Sequence, residues 1–249
     1  MISIGPAICA TEPIRTGIEM TTELPSSKQV THAMEDYLKA IYRLEERDLA
    51  VTTQQLANEL DVSGASVTNM VKRLDELKLV EYSRYKGVLL TEPGRKIALE
   101  VIRHHRLLEL YLSETLGMPW HEVHAEAERL EHHLSDEVEA RMDSALGYPT
   151  HDPHGDPIPS ADLVIDEVRG VNLTALTDGQ QGTVTRVSDR DPEQLEYLGS
   201  LGLFPGATVE LIERLPFDGP LRISVGGREA VIGPPLARMV SIEIGSSGE

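Results

Sequence analysis

Between residues 121 and 137 the chain reads HEVHAEAERLEHHLSDE, a run dense in imidazole and carboxylate. On a helix, residues four, seven and eight apart share a face, so His124, Glu128, Glu131 and His132 form one ridge of nitrogen and oxygen donors. An earlier segment offers a second pair, His105 and Glu109, at the same four-residue spacing. Facing pairs of this kind in a helical layer build metal sites. The competing reading is a solvated acidic face with incidental histidines. One pair alone would favour that reading; two pairs on consecutive helices favour the metal. Cys9 is the only cysteine, so thiolate-rich zinc sites and disulfide frameworks are excluded. Carboxylate plus imidazole with room for water suits Mn²⁺ or Fe²⁺ in six-coordinate geometry. Zn²⁺ or Cd²⁺ can occupy such donors in vitro, so selectivity must come from geometry and availability.

The net charge of -18 argues against a nucleic-acid partner only if it is evenly spread. It is not. Residues 52–96 carry 7 Lys and Arg against 6 Asp and Glu, whereas residues 97–165 carry 4 against 14. Eight of the nine histidines fall in or beside that acidic segment, so charge and imidazole are co-located. The 249 residues, 40% hydrophobic and 26% charged, suit two or three small globular domains. No stretch approaches the ~20 apolar residues that span a bilayer. The N-terminus has neither the basic start nor the apolar run of a signal peptide, so a cytoplasmic protein with no membrane partner is expected.

Several elements must position these donors. Residues 1–30 mix Thr, Ser, Pro and Gly without periodicity and read as a flexible tail, with Met20 or Met34 as alternative starts. Met34, Leu38, Ile41 and Leu44 predict an amphipathic helix ending near Arg47 and Asp48. Thr52 or Thr53 then caps a short helix through Leu60, and Asp61, Ser63 and Gly64 make a turn before a second helix over about residues 65–77. An alternating stretch with Lys86 and Gly87 near its tip reads as a hairpin, and Thr91 with Pro93 opens another helix. Residues 31–95 thus have the order of a winged helix-turn-helix. Ser63, Ser66, Thr68 and Asn69 place polar groups at the exposed start of its second helix, which favours DNA over a generic helical domain. Helices over 95–117 and 120–146 carry apolar stripes, the second through Val123, Ala127, Leu130, Leu134 and Val138. Two helices cannot enclose a core, so residues 96–148 are expected to pair with a second copy in a homodimer. Residues 149–169 read as a Pro-rich linker. Residues 170–249 read as a small antiparallel barrel.

Together EDYLKAIYRLEE, SGASVTNMVKRL, LTEPGRKIA, HRLLELYL and VHAEAERLEHHLSDEVEARM resemble the diphtheria toxin repressor family of metal-dependent transcriptional regulators. The likeness extends through HDPHGDPIP to a barrel similar to the SH3-type domain of the ferrous-iron transport accessory protein. It implies a mainly α fold, a winged helix-turn-helix and helical dimerisation domain, followed by the small β-barrel. The resemblance further implies a primary metal site of Asp36, Glu128, Glu131 and His132. The iron-responsive branch has methionine and cysteine at the positions of Asp36 and Glu128, so two carboxylates there resemble the manganese branch. Many manganese regulators also place a carboxylate three residues after the aspartate. Here that residue is Lys39, which cannot ligate. The iron branch's ancillary site matches His105, Glu109 and His124, with Asp191 and Gln194 as barrel contributors; an ordinary polar loop in DRDPEQLEY is the alternative for those two. On DNA the resemblance puts Ala65 and Asn69 at base-facing positions. Lys72, Arg73, Arg84 and Lys86 are the expected phosphate contacts.

The expected function is metal-dependent repression of metal-homeostasis genes through a palindromic double-stranded operator, not catalysis. Without metal the ligand carboxylates would repel one another and leave the first helix loosely held; with metal, both recognition helices would take one spacing. Ligating histidines must be neutral, so activation is expected to fade as pH falls through about 6. Two other classes compete: a carboxylate-bridged metalloenzyme, and a helix-turn-helix regulator of an organic ligand.

Overall fold

The computed structural model describes residues 30–46, 50–83, 86–166 and 170–245. The expected tail through residue 29, with Cys9 and Met20, lies outside the described residues, as do Arg47, Asp48 and Arg84. α1 (His32–Glu45) buries Met34, Leu38, Ile41 and Leu44, the positions whose spacing predicts it. α2 (Thr53–Glu59) begins at a capping box: the Thr52 hydroxyl accepts the Gln55 N–H, and the Gln55 side chain accepts the Thr52 N–H at 2.8 Å. α3 (Gly64–Glu76) is capped by Ser63 and packs Val67, Val71 and Leu74 into one core with Leu56, Ala57 and α1. β1 (Val80–Ser83) and β2 (Gly87–Leu90) pair antiparallel as the wing. Thr91 caps α4 (Glu92–Glu114), with Pro93 in its first turn. A Cβ on Gly94 would lie 1.9 Å from the Leu79 carbonyl oxygen, so helix and wing meet at a distance only glycine permits.

α4 is 23 residues long and carries polar groups into the interior: Arg103, His104, His105, Arg106 and Glu109 are all buried. The single helix expected over 120–146 is broken. α5 (Val123–Leu130) tightens into a 3-10 turn (Glu131–His133), Leu134 is extended, and α6 (Asp136–Ala145) restarts after Ser135. The local cause is a second helix start in the sequence: Ser135 precedes Asp136, Glu137 and Glu139, anions that favour a helix N-terminus. Of the apolar stripe expected along that helix, Val123 and Ala127 are buried, whereas Leu130 and Val138 are exposed in the single chain.

The expected linker is also different. Asp152, His154 and Asp156 are buried, and residues 149–160 form a strap laid against α4. Prolines supply carbonyls without N–H donors, and two buried arginines satisfy them: Arg103 donates to the Pro159 carbonyl at 2.6 Å and Arg106 to that of Pro157. Asp152 Oδ1 accepts the N–H groups of His154 and Asp156 at 2.8 and 2.9 Å, closing the turn on itself. Gly155 completes it at φ +90, where a Cβ would strike the Thr185 carbonyl. Strap and barrel are therefore in backbone contact.

The C-terminal domain is one antiparallel sheet of six strands: β3 (Val171–Asn172), β4 (Gln181–Val187), β5 (Thr208–Arg214), β6 (Leu221–Val225), β7 (Arg228–Ile232) and β8 (Val240–Ile244), in the order β3-β8-β4-β5-β6-β7. Alternate residues such as Val209, Leu211, Leu221, Ile223 and Val225 fill its core. DRDPEQLEY is not a loop: Asp191 caps α7 (Pro192–Ser200), between β4 and β5. The short α8 (Pro234–Ala237) precedes β8. Trp120 packs on Phe204 with centroids 4.6 Å apart, and Arg186 donates to Asp156 at 2.8 Å, joining the sheet domain to the helical one. Among the described residues no helix is long and apolar enough to cross a membrane.

Candidate metal centre and nucleic-acid interface

The break after α5 sorts the predicted ridge into two directions. His132 turns toward α1: its Nε2 is 2.9 Å from Asp36 Oδ1 and its Nδ1 is 2.6 Å from Glu35 Oε2. Asp36, Glu131 and His132 each offer a donor atom within 4.8 Å of the others. Burial pushes the Asp36 carboxyl up, against the pull of His132 and Lys39. Glu131 is fully buried, its Oε2 accepting from His105 Nδ1 at 2.6 Å. Glu128, His105 and Glu131 form an adjoining triad. The carboxylates are not left to repel one another, as the sequence led us to expect, because the Lys39 ammonium lies between Glu128 and Glu131.

The second direction is inward. Glu109 Oε1 is 2.9 Å from His105 Nε2 and 3.0 Å from His124 Nδ1. His124 Nδ1 is also 3.1 Å from Asp189 Oδ2, the barrel's contribution to this group. Asp191 and Gln194 are elsewhere: Asp191 caps α7, and Gln194 donates to it at 2.6 Å. Asp189, two residues earlier, lies in the short connection between β4 and α7 and is the residue there that reaches His124. The strap adds two donors that sequence reasoning missed, Asp152 and His154, which form a buried group with Glu109. The signal was present in HDPHGDP as four titratable residues within a turn, but its prolines read as a linker.

Charge is concentrated in this interior. Burial opposes ionisation of Glu109, yet His105 and its other imidazole neighbours hold its carboxyl well below the usual range. Burial likewise opposes the His124 charge, and bonds to Asp189 and Glu109 outweigh it, raising that imidazole to about 10. His154 is raised to about 9, where Glu109, Asp152 and Asp189 overcome desolvation. Burial pushes Asp152 well up, with the Glu109 and Asp156 charges adding to it. Glu109 Oε2 and His154 Nδ1 are both buried without a hydrogen-bond partner, 3.8 Å apart. Orphaned buried atoms of this kind are costly, and a cation between them would satisfy both. The donor set therefore fits a hard dication: carboxylate and imidazole, with no sulfur among its members. Asp36, Lys39, His105, Glu109, His124 and Glu128 line one shared cleft of about 480 Å³ whose lining is mostly charged, unlike a pocket for an apolar ligand.

The N-terminal turns of α3 are exposed. Ala65, Asn69, Lys72 and Arg73 face solvent, as does Lys86 on the wing. Ser63 and Ser66 are exposed but engaged with each other, Oγ to Oγ at 2.9 Å. Thr68 donates back to the Gly64 carbonyl at 2.8 Å. These three hydroxyls order the start of the helix, leaving Asn69 as the polar side chain there without such a local role.

Comparison with known proteins bears on both surfaces. Residues 91–160 match the family described as iron dependent repressor, metal binding and dimerisation domain, and residues 29–88 match its N-terminal DNA binding domain. Residues 171–244 match the FeoA domain. The iron-dependent repressor IdeR of Mycobacterium tuberculosis is 35% identical over 228 residues, covering 86% of this chain and 98% of its own length. The diphtheria toxin repressor of Corynebacterium efficiens is 34% identical over 226 residues, covering 87% and 97%. Among solved structures, a manganese-dependent transcriptional repressor in complex with manganese is 39% identical with a TM-score of 0.79, covering 85% of this chain and 99% of that one. ScaR with bound Cd²⁺ is 33% identical with a TM-score of 0.72, covering 84% and 98%.

Proposed function

Because the chain belongs to the iron-dependent repressor family of metal-dependent, DNA-binding transcriptional repressors, we propose that it is a Mn²⁺-responsive homodimer that binds a palindromic operator. Fe²⁺ is the second candidate effector, and Zn²⁺ or Cd²⁺ are ions that occupy the site in vitro. The observation that carries this reading is the convergence of Asp36, from the DNA-binding half, with Glu131 and His132, from the dimerisation half, within 4.8 Å. Bound there, a dication supplies Lewis-acid attraction that couples the two halves. In this reading Asp36, Glu128, Glu131 and His132 hold the primary ion. Glu109 with His105, His124, Asp152, His154 and Asp189 holds a second, tying strap and barrel to α4. Oxygen donors in place of sulfur favour Mn²⁺.

On DNA, Asn69 and Ala65 face bases at the start of α3, supported by the Ser63, Ser66 and Thr68 turn. Lys72, Arg73, Lys86 and Arg84 contact phosphate. Metal and operator then tighten each other's binding by one coupling factor, typically about 5–150-fold. A fluorescence titration of operator DNA across Mn²⁺, Fe²⁺ and Zn²⁺, repeated with Glu128→Ala, tests this. Mn²⁺ is expected to tighten binding by at least about tenfold in the wild type, with most of that response lost in the variant. Operator affinity that ignores Mn²⁺ overturns the proposal.

Glu35 has a supporting role that follows from its bond to His132 Nδ1. With the proton held on Nδ1 by Glu35, Nε2, which meets Asp36 at 2.9 Å, would be the nitrogen that gives up its proton to ligate an ion. Glu35→Ala is expected to weaken Mn²⁺ binding by about 10–100-fold, the range for losing such a partner, with Glu35→Gln in between. Calorimetric titration with Mn²⁺ measures it, and wild-type affinity in Glu35→Ala would remove the role.

A further inference from the structure

His154 carries the strap's imidazole to Glu109, and it is held from two sides. Its carbonyl accepts the Val187 N–H of β4 at 2.8 Å, which fixes its backbone to the barrel. Its Nε2 donates to the Trp120 carbonyl at 2.7 Å, in the connection between α4 and α5. Its Nδ1 faces Glu109 Oε2 at 3.8 Å. A carbonyl only accepts, so Nε2 keeps its hydrogen whatever the charge on the ring. Nδ1 is then the nitrogen left to ligate an ion.

The side chain of Trp120 is seated where the helical part meets the barrel. This indole, the only one in the chain, is half-buried against the barrel core. Its ring centroid lies 5.6 Å from that of His154 and 4.6 Å from that of Phe204. Its edge rests on α7 at Gly199, where a Cβ would stand 2.8 Å from the indole Nε1, so the ring seats there only because the residue has no side chain. We propose that Trp120 is a positioning residue for the second ion: its indole, seated on Gly199 and Phe204, fixes the carbonyl that turns His154 Nδ1 toward Glu109. Docking of the barrel and orientation of the imidazole are then one event, although neither Trp120 nor Gly199 offers the ion a donor. The inference rests on the reading of Glu109, Asp152 and His154 as part of a metal site.

The test is calorimetric titration with Mn²⁺ of full-length protein carrying Asp36→Ala, which cripples the primary site and leaves the second to be measured. Trp120→Ala and Gly199→Ala are each expected to weaken that binding by about 10–100-fold, the range for losing an outer partner of a ligand. Trp120→Phe, which keeps a ring for the seat, is expected to recover most of it. Added to His154→Ala, Trp120→Ala is expected to cost nothing further, because the imidazole it orients is gone. Unchanged affinity in folded Trp120→Ala and Gly199→Ala overturns the proposal, as does an equal loss with and without His154, which would mark general loosening of the fold. An Asp36→Ala chain that binds no Mn²⁺ would instead undo the second-site reading, and NMR of the metal-free protein then decides Trp120. A hydrogen-bonded His154 Nε2 proton, present in the parent and lost to exchange in both variants, upholds the role; one that survives in both removes it.

Discussion

Replacing Glu131 by alanine is expected to lower Mn²⁺ affinity by at least about a hundredfold, the upper end of what losing even a supporting partner costs, and to abolish Mn²⁺-stimulated operator binding. Glu131 is fully buried and serves three neighbours at once: Oε1 accepts from Lys39 at 2.5 Å and lies 3.4 Å from His132, and Oε2 accepts from His105. Among the described residues no other carboxylate touches all three. The substitution removes a donor from the primary group and leaves the Lys39 ammonium with Glu128 alone, on the partly exposed side of the site. Breaking a buried ion pair by deleting one partner typically costs about 3–5 kcal/mol, so a lower melting temperature is expected too. Anisotropy of labelled operator across Mn²⁺ measures the first effect and thermal unfolding the second. Glu137→Ala, on the exposed face of α6, is the control expected to behave as wild type. Mn²⁺ activation of Glu131→Ala within threefold of wild type would falsify the assignment.

The second large effect is of pH. His124, raised to about 10, and His154, raised to about 9, are imidazolium ions at neutral pH when no metal competes, whereas a ligating histidine must be neutral. Binding of Mn²⁺ therefore displaces up to two protons, and each displaced proton makes apparent affinity climb about tenfold per pH unit. Between pH 6.5 and 8.5 the slope of log affinity against pH is expected to approach two, or about a hundredfold per unit. The sequence led us to place this dependence near pH 6; buried carboxylates around the imidazoles move it upward. Mn²⁺ affinities at pH 6.5, 7.5 and 8.5 measure the slope, and a flat profile would mean these imidazoles are not ligands. In EDTA the sign reverses for stability. A raised imidazole stabilises the fold fully below its unfolded value near 6.5 and loses that contribution as pH rises through about 9 to 10. Glu109 and Asp189, held below the usual carboxylate range, act on the acid side, losing theirs as pH falls through their depressed values.

Much of this molecule is legible in local patterns. Thr52, Ser63 and Thr91 cap the helices their positions predict, and Met34, Leu38, Ile41 and Leu44 bury the face their spacing defines. His105 with Glu109, and His124 with Glu128, stand out because helical periodicity brings them onto shared faces before any fold is known. Asp191 and Gln194 show the limit. A polar residue near a barrel strand can be named from sequence, but which one faces the helices depends on where β4 ends and α7 begins.

Sequence alone determined the donor chemistry, the winged helix-turn-helix order and the acidic character of the central segment, because these follow from residue type and from spacings of a few residues. Tertiary structure alone decided which donors meet. It brought His132 of the turn after α5 against Asp36 of α1. It folded the proline-rich segment into a buried strap, which delivered Asp152 and His154 to Glu109, and it set Lys39 between two glutamates about ninety residues away. These contacts join segments far apart in the chain, where the free energy lies in burying and pairing charge rather than in any local preference. That balance is reached only when the whole core has closed.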